Sequence, residues 1–127
     1  MKRKGVLLDT HAMLWWVTDD PRLSDTARTA ITSSAVVVSV VSLWEAEIKR
    51  TLGRIEADTR QLFHEITQTD GFSVFDVRPT HVLTLGDLPL LHWDPFDRML
   101  VAQALRGQLA IVTRDEAIGR YAVEIVW

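Results

Sequence analysis

The sequence predicts an α/β sandwich built around a mostly parallel sheet. The first reason is a set of short apolar runs. Val6-Leu7-Leu8, Val36-Val37-Val38, Phe72-Ser73-Val74-Phe75, Leu109-Ala110-Ile111-Val112 and Val123-Glu124-Ile125-Val126 read as strands. Most are continuously apolar, as strands covered on both faces are, and such strands belong to parallel sheets. The second reason is that segments of helical periodicity separate them: 10–17 and 24–32 in the first gap, 40–52 and 59–69 in the second, 80–85 and 95–106 in the third, with a short last helix expected at 114–119. The third is punctuation, because Pro21, Gly53, Gly71, Pro79, Gly86, Pro89 and Gly107 fall at the boundaries. Repeated strand–helix–strand units give parallel strands with helices on the faces.

A length of 127 residues suits a single domain spanning 1–127. With 47% apolar residues the chain can bury a substantial core without staples. The absence of cysteine excludes a disulfide framework, a thiolate zinc site and a cysteine nucleophile, and fits a reducing compartment. Met1-Lys2-Arg3-Lys4 followed by Gly5-Val6-Leu7-Leu8 could open a signal peptide, but the apolar run meets Asp9 and His11 without a small-residue cleavage site. It reads instead as a solvated start feeding the first strand. No stretch is long and apolar enough to span a bilayer, so a cytoplasmic protein is the default expectation. A net charge of −3 lacks the basic balance of many nucleic-acid binders, although a local basic face can coexist with a carboxylate cluster.

Four acids stand out. Asp9 ends the first strand and Asp115 lies just past the fourth, at the strand ends where open parallel sheets bind ligands. Taken singly, each is equally well read as a helix cap. Glu45 has Val41, Ile48 and Leu52 at i−4, i+3 and i+7, which places it on or beside an inward stripe. Glu47, with Arg50 and Arg54 at i+3 and i+7, has a solvent-face pattern. Ser42 fits a capping box with Glu45, but Ser39 is an equally good cap, and that would put Glu45 inside the helix. Asp94 before Pro95 is the natural cap of the next helix. Asp97 shares its face with Leu100, Val101 and Ala104, so it points inward. A carboxylate aimed at an apolar face is costly unless a cation or a donor meets it. Acids without thiols make a hard-oxygen donor set, so Mg2+ or Mn2+ is the expected ion rather than zinc.

Leu7-Leu8-Asp9-Thr10-His11, the segment from Val38-Ser39 through Leu43-Trp44-Glu45-Ala46-Glu47-Ile48-Lys49, Asp94-Pro95-Phe96-Asp97-Arg98-Met99-Leu100-Val101-Ala102-Gln103-Ala104 and Val112-Thr113-Arg114-Asp115 occur in that order over essentially the whole chain. Together they resemble the PIN-domain family, and within it the VapC-type toxins of bacterial toxin–antitoxin pairs. The resemblance implies a three-layer α/β/α sandwich and divalent-metal-dependent endoribonuclease action that leaves a 5′-phosphate and a 3′-hydroxyl. It implies Asp9, Glu45, Asp97 and Asp115 as the catalytic and metal-holding acids. It also implies an RNA substrate, a small antitoxin partner that blocks the site, and homodimerisation.

Around the acids, Thr10, Ser42 and Thr113 carry hydroxyls that could orient a carboxylate or cap a turn; Thr10 and Thr113 are the supporting candidates. Arg98 and Arg114 are the candidates for RNA phosphates, while Arg50, paired with Glu47, and Arg54 read as a solvated face. His11 and His92 match no ligand-spacing template and read as structural or rim residues. Trp15 and Trp16 are consecutive, so both cannot face one core stripe; one is expected at an interface with a partner.

Two other functions compete with the nuclease. Asp9 could be the nucleophile of an aspartyl-phosphate phosphotransferase or phosphatase, yet the acid two residues on and a late-strand lysine are both missing. Alternatively the acids only cap helices in a non-catalytic binding module. Fold analogy alone cannot choose between these; the inward placement of Glu45 and Asp97 favours the metal nuclease.

Overall fold

The computed structural model describes residues 3–127; Met1 and Lys2, part of the expected solvated start, lie outside the described residues. The chain runs β1 (Gly5–Leu8), α1 (Thr10–Val17), α2 (Asp25–Ser33), β2 (Val36–Ser39), α3 (Val40–Thr51), α4 (Thr59–Gln68), β3 (Phe72–Phe75), α5 (Pro79–Asp87), α6 (Pro95–Gly107), β4 (Leu109–Val112), a single 3-10 turn (Ile118–Arg120) and β5 (Ile125–Val126). The strands form one sheet in the order β3-β2-β1-β4-β5, and every pairing is parallel. This is the α/β/α sandwich that the apolar runs predict.

The two-residue period of the strands divides the core between the two faces of the sheet. Val6, Leu8, Val36, Val38, Ala110 and Val112 meet Ala12 and Met13 of α1, Ala27 and Ile31 of α2, and Leu62 and Ile66 of α4. Leu7, Val37, Leu109 and Ile111 meet Leu100, Val101 and Ala104 of α6 together with Ile118 and Tyr121. With side chains buried on both faces, β1, β2 and β4 have no solvent face, which is why their sequences do not alternate. The helices begin where the sequence places caps: Asp9, Ser24, Ser39, Asp58 and Asp94 each accept a backbone N–H in the first turn of the helix that follows.

The C-terminal stretch departs from expectation. No helix spans 114–119. Thr113 Oγ1 accepts the Asp115 N–H at 3.0 Å and Asp115 Oδ1 accepts the Ala117 N–H at 2.9 Å. These local side-chain bonds hold an open turn, and only Ile118–Arg120 winds further. The last strand is likewise confined to Ile125–Val126, because the Val123 N–H turns back onto the Tyr121 carbonyl.

The order of the strands locates the site. The chain moves outward from β1 to β2 and β3, then crosses to the far side of β1 for β4 and β5. The carboxyl end of β1 therefore lies at the switch point, where loops on either side diverge and leave a crevice. Gly5 lets β1 sit deep in the sheet, since a Cβ there would lie 2.5 Å from the Ala35 carbonyl oxygen, which already accepts the Val6 N–H at 2.9 Å. That oxygen is backbone and cannot turn away. Gly5→Ala should cost about 1–3 kcal/mol of stability, read as a lower urea midpoint with an unchanged m-value; a midpoint equal to that of the parent chain would mean that β1 can shift without penalty.

Candidate functional site

Asp9 leaves the buried end of β1 and caps α1. Its Oδ1 accepts the Ala12 N–H at 2.8 Å, and its Oδ2 accepts the Thr113 hydroxyl at 2.6 Å. The side chain is buried, and burial pushes its carboxyl above the ordinary range; the bonds from Thr113 and Ala12 oppose that rise. Thr113 follows β4 directly, so the β1–β4 register that pairs Leu8 with Val112 sets it beside Asp9.

Glu45 enters from α3. Ser39, not Ser42, caps this helix, which places Glu45 one and a half turns in. The stripe it borders differs from the one expected. Val41 and Ala46 are buried, but Ile48 and Leu52 are exposed, so Glu45 sits at the margin of the apolar face and not within it. Thr10 donates its hydroxyl to Glu45 Oε1 at 2.5 Å, and Lys49 Nζ lies 3.6 Å from Oε2. Glu47, two residues on, faces away and is tied to Arg50, Thr51 and Thr59.

Asp94 and Asp97 occupy one helix turn with different tasks. Asp94 Oδ1 accepts the N–H groups of Phe96 and Asp97 at 2.8 and 3.1 Å, a capping arrangement. Asp97 Oδ2 instead meets His92 Nε2 at 2.9 Å. Burial, helped by the charges of Asp94 and Glu45 and opposed by His92, raises the Asp97 carboxyl from 3.8 to about 7. Asp115 is half exposed, with its Oδ2 3.3 Å from the same His92 nitrogen.

Asp9, Glu45, Asp97 and Asp115 thus line one cleft of about 550 Å³, together with Thr10, Asp94 and His92. Lys49, Arg54 and Arg114 contribute its cations. The lining fits a divalent cation: carboxylates from four segments face one cleft, those of Asp97 and Asp115 lie with a His92 nitrogen within 4.8 Å of one another, and burial together with the charges of Asp94 and Glu45 raises the Asp97 carboxyl, a cost that an ion would offset.

Several side chains lie elsewhere than the sequence suggested. Arg98 does not line the cleft; its guanidinium is held by the carbonyls of Leu85 and Leu88 at 3.5 and 3.3 Å and by the Tyr121 hydroxyl at 3.4 Å, which ties α5 to α6. Arg114 does line it, lying 4.8 Å over the Trp15 ring, and so does Arg54, which the helix pattern had put on a solvated face. Ser42 is buried away from the cleft. Trp15 is largely buried beneath Arg114 and Arg22, stacked on His11 and packed near Trp127, with only an edge reaching the wall of the cleft. Trp16 is half-buried against Phe72 in a separate groove of about 280 Å³. The open tryptophans are Trp44 and Trp93, at 62% and 82% exposure. His92 is the residue that sequence reasoning missed. Its spacing matches no ligand template and reads only as structural or rim, yet the imidazole bridges two of the acids.

A parallel α/β sandwich with a carboxylate cluster at the end of its central strand is the architecture these observations define. The model of the PIN domain family matches residues 6–124, and the chain belongs to that family. Solved structures agree in fold. VapBC2 from Rickettsia felis, bound to a DNA fragment from its promoter, superposes with a TM-score of 0.67 at 14% identity over 94% of this chain and 96% of that one. A toxin–antitoxin complex from Klebsiella pneumoniae gives 0.69 at 12% identity over 97% of both chains. FitAcB from Neisseria gonorrhoeae gives 0.66 at 15% identity over 94% of this chain and 95% of that one. None of the curated proteins matches the sequence.

The raised Asp97 carboxyl fixes a sign for the pH dependence of stability. Folding favours its protonated form, so this contribution is complete below the unfolded value of 3.8 and is lost as pH rises through about 7. In the presence of a chelator, the urea midpoint should therefore fall as pH rises from about 4 to about 7. Asp97→Asn should flatten that fall, leaving the share due to Asp9. An undiminished slope in the variant would remove Asp97 as its source.

Proposed function

We propose that this chain is a divalent-metal-dependent endoribonuclease and the toxin of a toxin–antitoxin pair. The observation that carries the reading is the convergence of Asp9, Glu45, Asp97 and Asp115 on one cleft at the carboxyl end of β1. Asp9, Asp97 and Asp115 would hold Mg2+ or Mn2+, with Glu45 directly or through water. What a bound ion supplies there is charge stabilisation at the phosphoryl oxygens and a more acidic water. Thr113 and Thr10 fix the directions of the Asp9 and Glu45 carboxylates through their hydroxyls. Lys49, Arg54 and Arg114 give the RNA backbone cations to approach in an otherwise acidic cleft. An antitoxin partner, and pairing of two copies, belong to the same reading; the likeness of fold to chains from toxin–antitoxin complexes supports the first.

The competing readings fare less well. An aspartyl-phosphate site lacks its partners: His11, not an acid, stands two residues after Asp9, and the lysine that lines the cleft, Lys49, comes from α3 and not from the end of a late strand. A module whose acids only cap helices accounts for Asp94 but not for Glu45 and Asp97, neither of which accepts a helix N–H in its first turn.

Cleavage of RNA by the purified chain, with chelator and with added Mg2+ or Mn2+, tests the proposal. Cleavage should require the ion. Asp97→Asn should reduce it by more than the ~100-fold typical of changes outside the ligand shell. Asp94→Asn should stay near normal, because Asn caps a helix about as well as Asp. Both variants should melt close to the parent chain in chelator. Ion-independent cleavage, or full activity in Asp97→Asn, would end the metal-nuclease reading.

A further inference from the structure

His92 meets the carboxylates of two of the clustered acids, Asp97 and Asp115, without being an acid itself. It precedes the cap of α6, and its position is set from the far end of the sequence. The Tyr121 hydroxyl accepts the backbone N–H groups of Leu91 and His92 at 3.1 and 3.0 Å. Tyr121 is buried in the core beside Ile118, so this anchor is firm. The imidazole is left less than one-fifth exposed, with Nε2 turned into the cleft 2.9 Å from Asp97 Oδ2 and 3.3 Å from Asp115 Oδ2. One donor atom from each of the three residues falls within 4.8 Å of the other two.

Those spacings are informative. Two donors at right angles on an ion with bonds of about 2.1 Å lie about 3.0 Å apart, and tetrahedral donors lie slightly farther. The nitrogen thus already stands at ligand spacing from both carboxylates, and its lone pair can take up a vertex of the coordination shell. We infer that His92 supplies a nitrogen ligand, so that the site is a mixed nitrogen–oxygen centre that favours Mn2+ over Mg2+. This rests on the reading of Asp97 and Asp115 as metal-holding. The preference follows from the donors: Mg2+ takes oxygen and keeps its waters, while first-row transition ions accept imidazole readily. A histidine beside acids is also explained as a hydrogen-bond partner that only orients them, and the two roles differ in what the bound metal feels.

Mn2+ added to the purified chain, with pulsed EPR as the readout, separates them. Of the four histidines only His11 and His92 line the cleft, so two variants suffice. The parent chain should give the 14N coupling of a directly bound imidazole. His11→Gln should retain it and His92→Gln should lose it. Calorimetry should find Mn2+ binding to His92→Gln weakened by at least the ~100-fold that marks the upper end for changes outside the ligand shell, with Mg2+ binding changed far less, which narrows the preference between the ions. His11→Gln keeps the test decisive even where His92→Gln is poorly folded, because its signal must survive if His92 is the ligand. Bound Mn2+ without nitrogen coupling, or coupling lost in His11→Gln, overturns the inference and leaves the metal-site reading standing. Failure of the parent chain to bind Mn2+ at all overturns both.

Discussion

The register between β1 and β4 is the constraint on which the site depends. Pairing of Leu8 with Val112 brings the next residue of each strand together. Thr113 then donates to Asp9 Oδ2 at 2.6 Å while its oxygen accepts the Asp115 N–H at 3.0 Å. One hydroxyl therefore positions two acids that are remote in sequence. It also compensates a buried carboxylate, and a hydrogen bond to a charged group contributes on the order of 1.5–3 kcal/mol. A slip of one residue would reverse which side chains face each half of the core, so the packing on both faces of the sheet guards the geometry of the cleft.

The acids are compensated unequally, and that inequality is functional information. Asp9 has a backbone N–H and a hydroxyl, and Glu45 has a hydroxyl and Lys49. Asp97 has His92 alone against its own burial and the charges of two other carboxylates, and its carboxyl rises to about 7. Glu47, on the same helix as Glu45 but on the outer side, is held by Arg50 and Thr59 down to about 2. Its environment satisfies an anion without help, whereas Asp97 is buried beside like charges with one partner to compensate it. Clefts of the second kind are where cations bind.

Most of the fold was legible because buried parallel strands write themselves as uninterrupted apolar runs, as at Val36–Val38 and Leu109–Val112. The acids were legible because a carboxylate on an apolar helix face, such as Asp97 above Leu100 and Val101, contradicts its surroundings. What escaped was set by contacts through space. His92 lies in a loop without periodicity, and its aim depends on Tyr121, twenty-nine positions later. Arg98 sits beside Asp97 in sequence, but a helix turns neighbours about 100° apart, and its head lands on the end of α5. Trp15 and Trp16 do part as consecutive helix residues must, the first buried under two cations and the second lining a groove beside Phe72, but which of them would reach the surface was set by those contacts. The 114–119 stretch had helical composition but lost to side-chain bonds formed by Thr113 and Asp115.

Because the cluster joins residue 9 to residue 115 across the central strand, it has consequences for synthesis on the ribosome. The first strand emerges early but has no β4 to pair with, and Asp9 has no Thr113, until more than a hundred further residues have been made. Nearly every segment of the chain must then be in place at once, since β1 is flanked by the second and the fourth strands in sequence order. Such long-range closure is slow relative to local helix formation. A translating ribosome therefore holds a chain whose acids are still apart, and the assembled cleft comes into being only after Asp115 has cleared the exit tunnel.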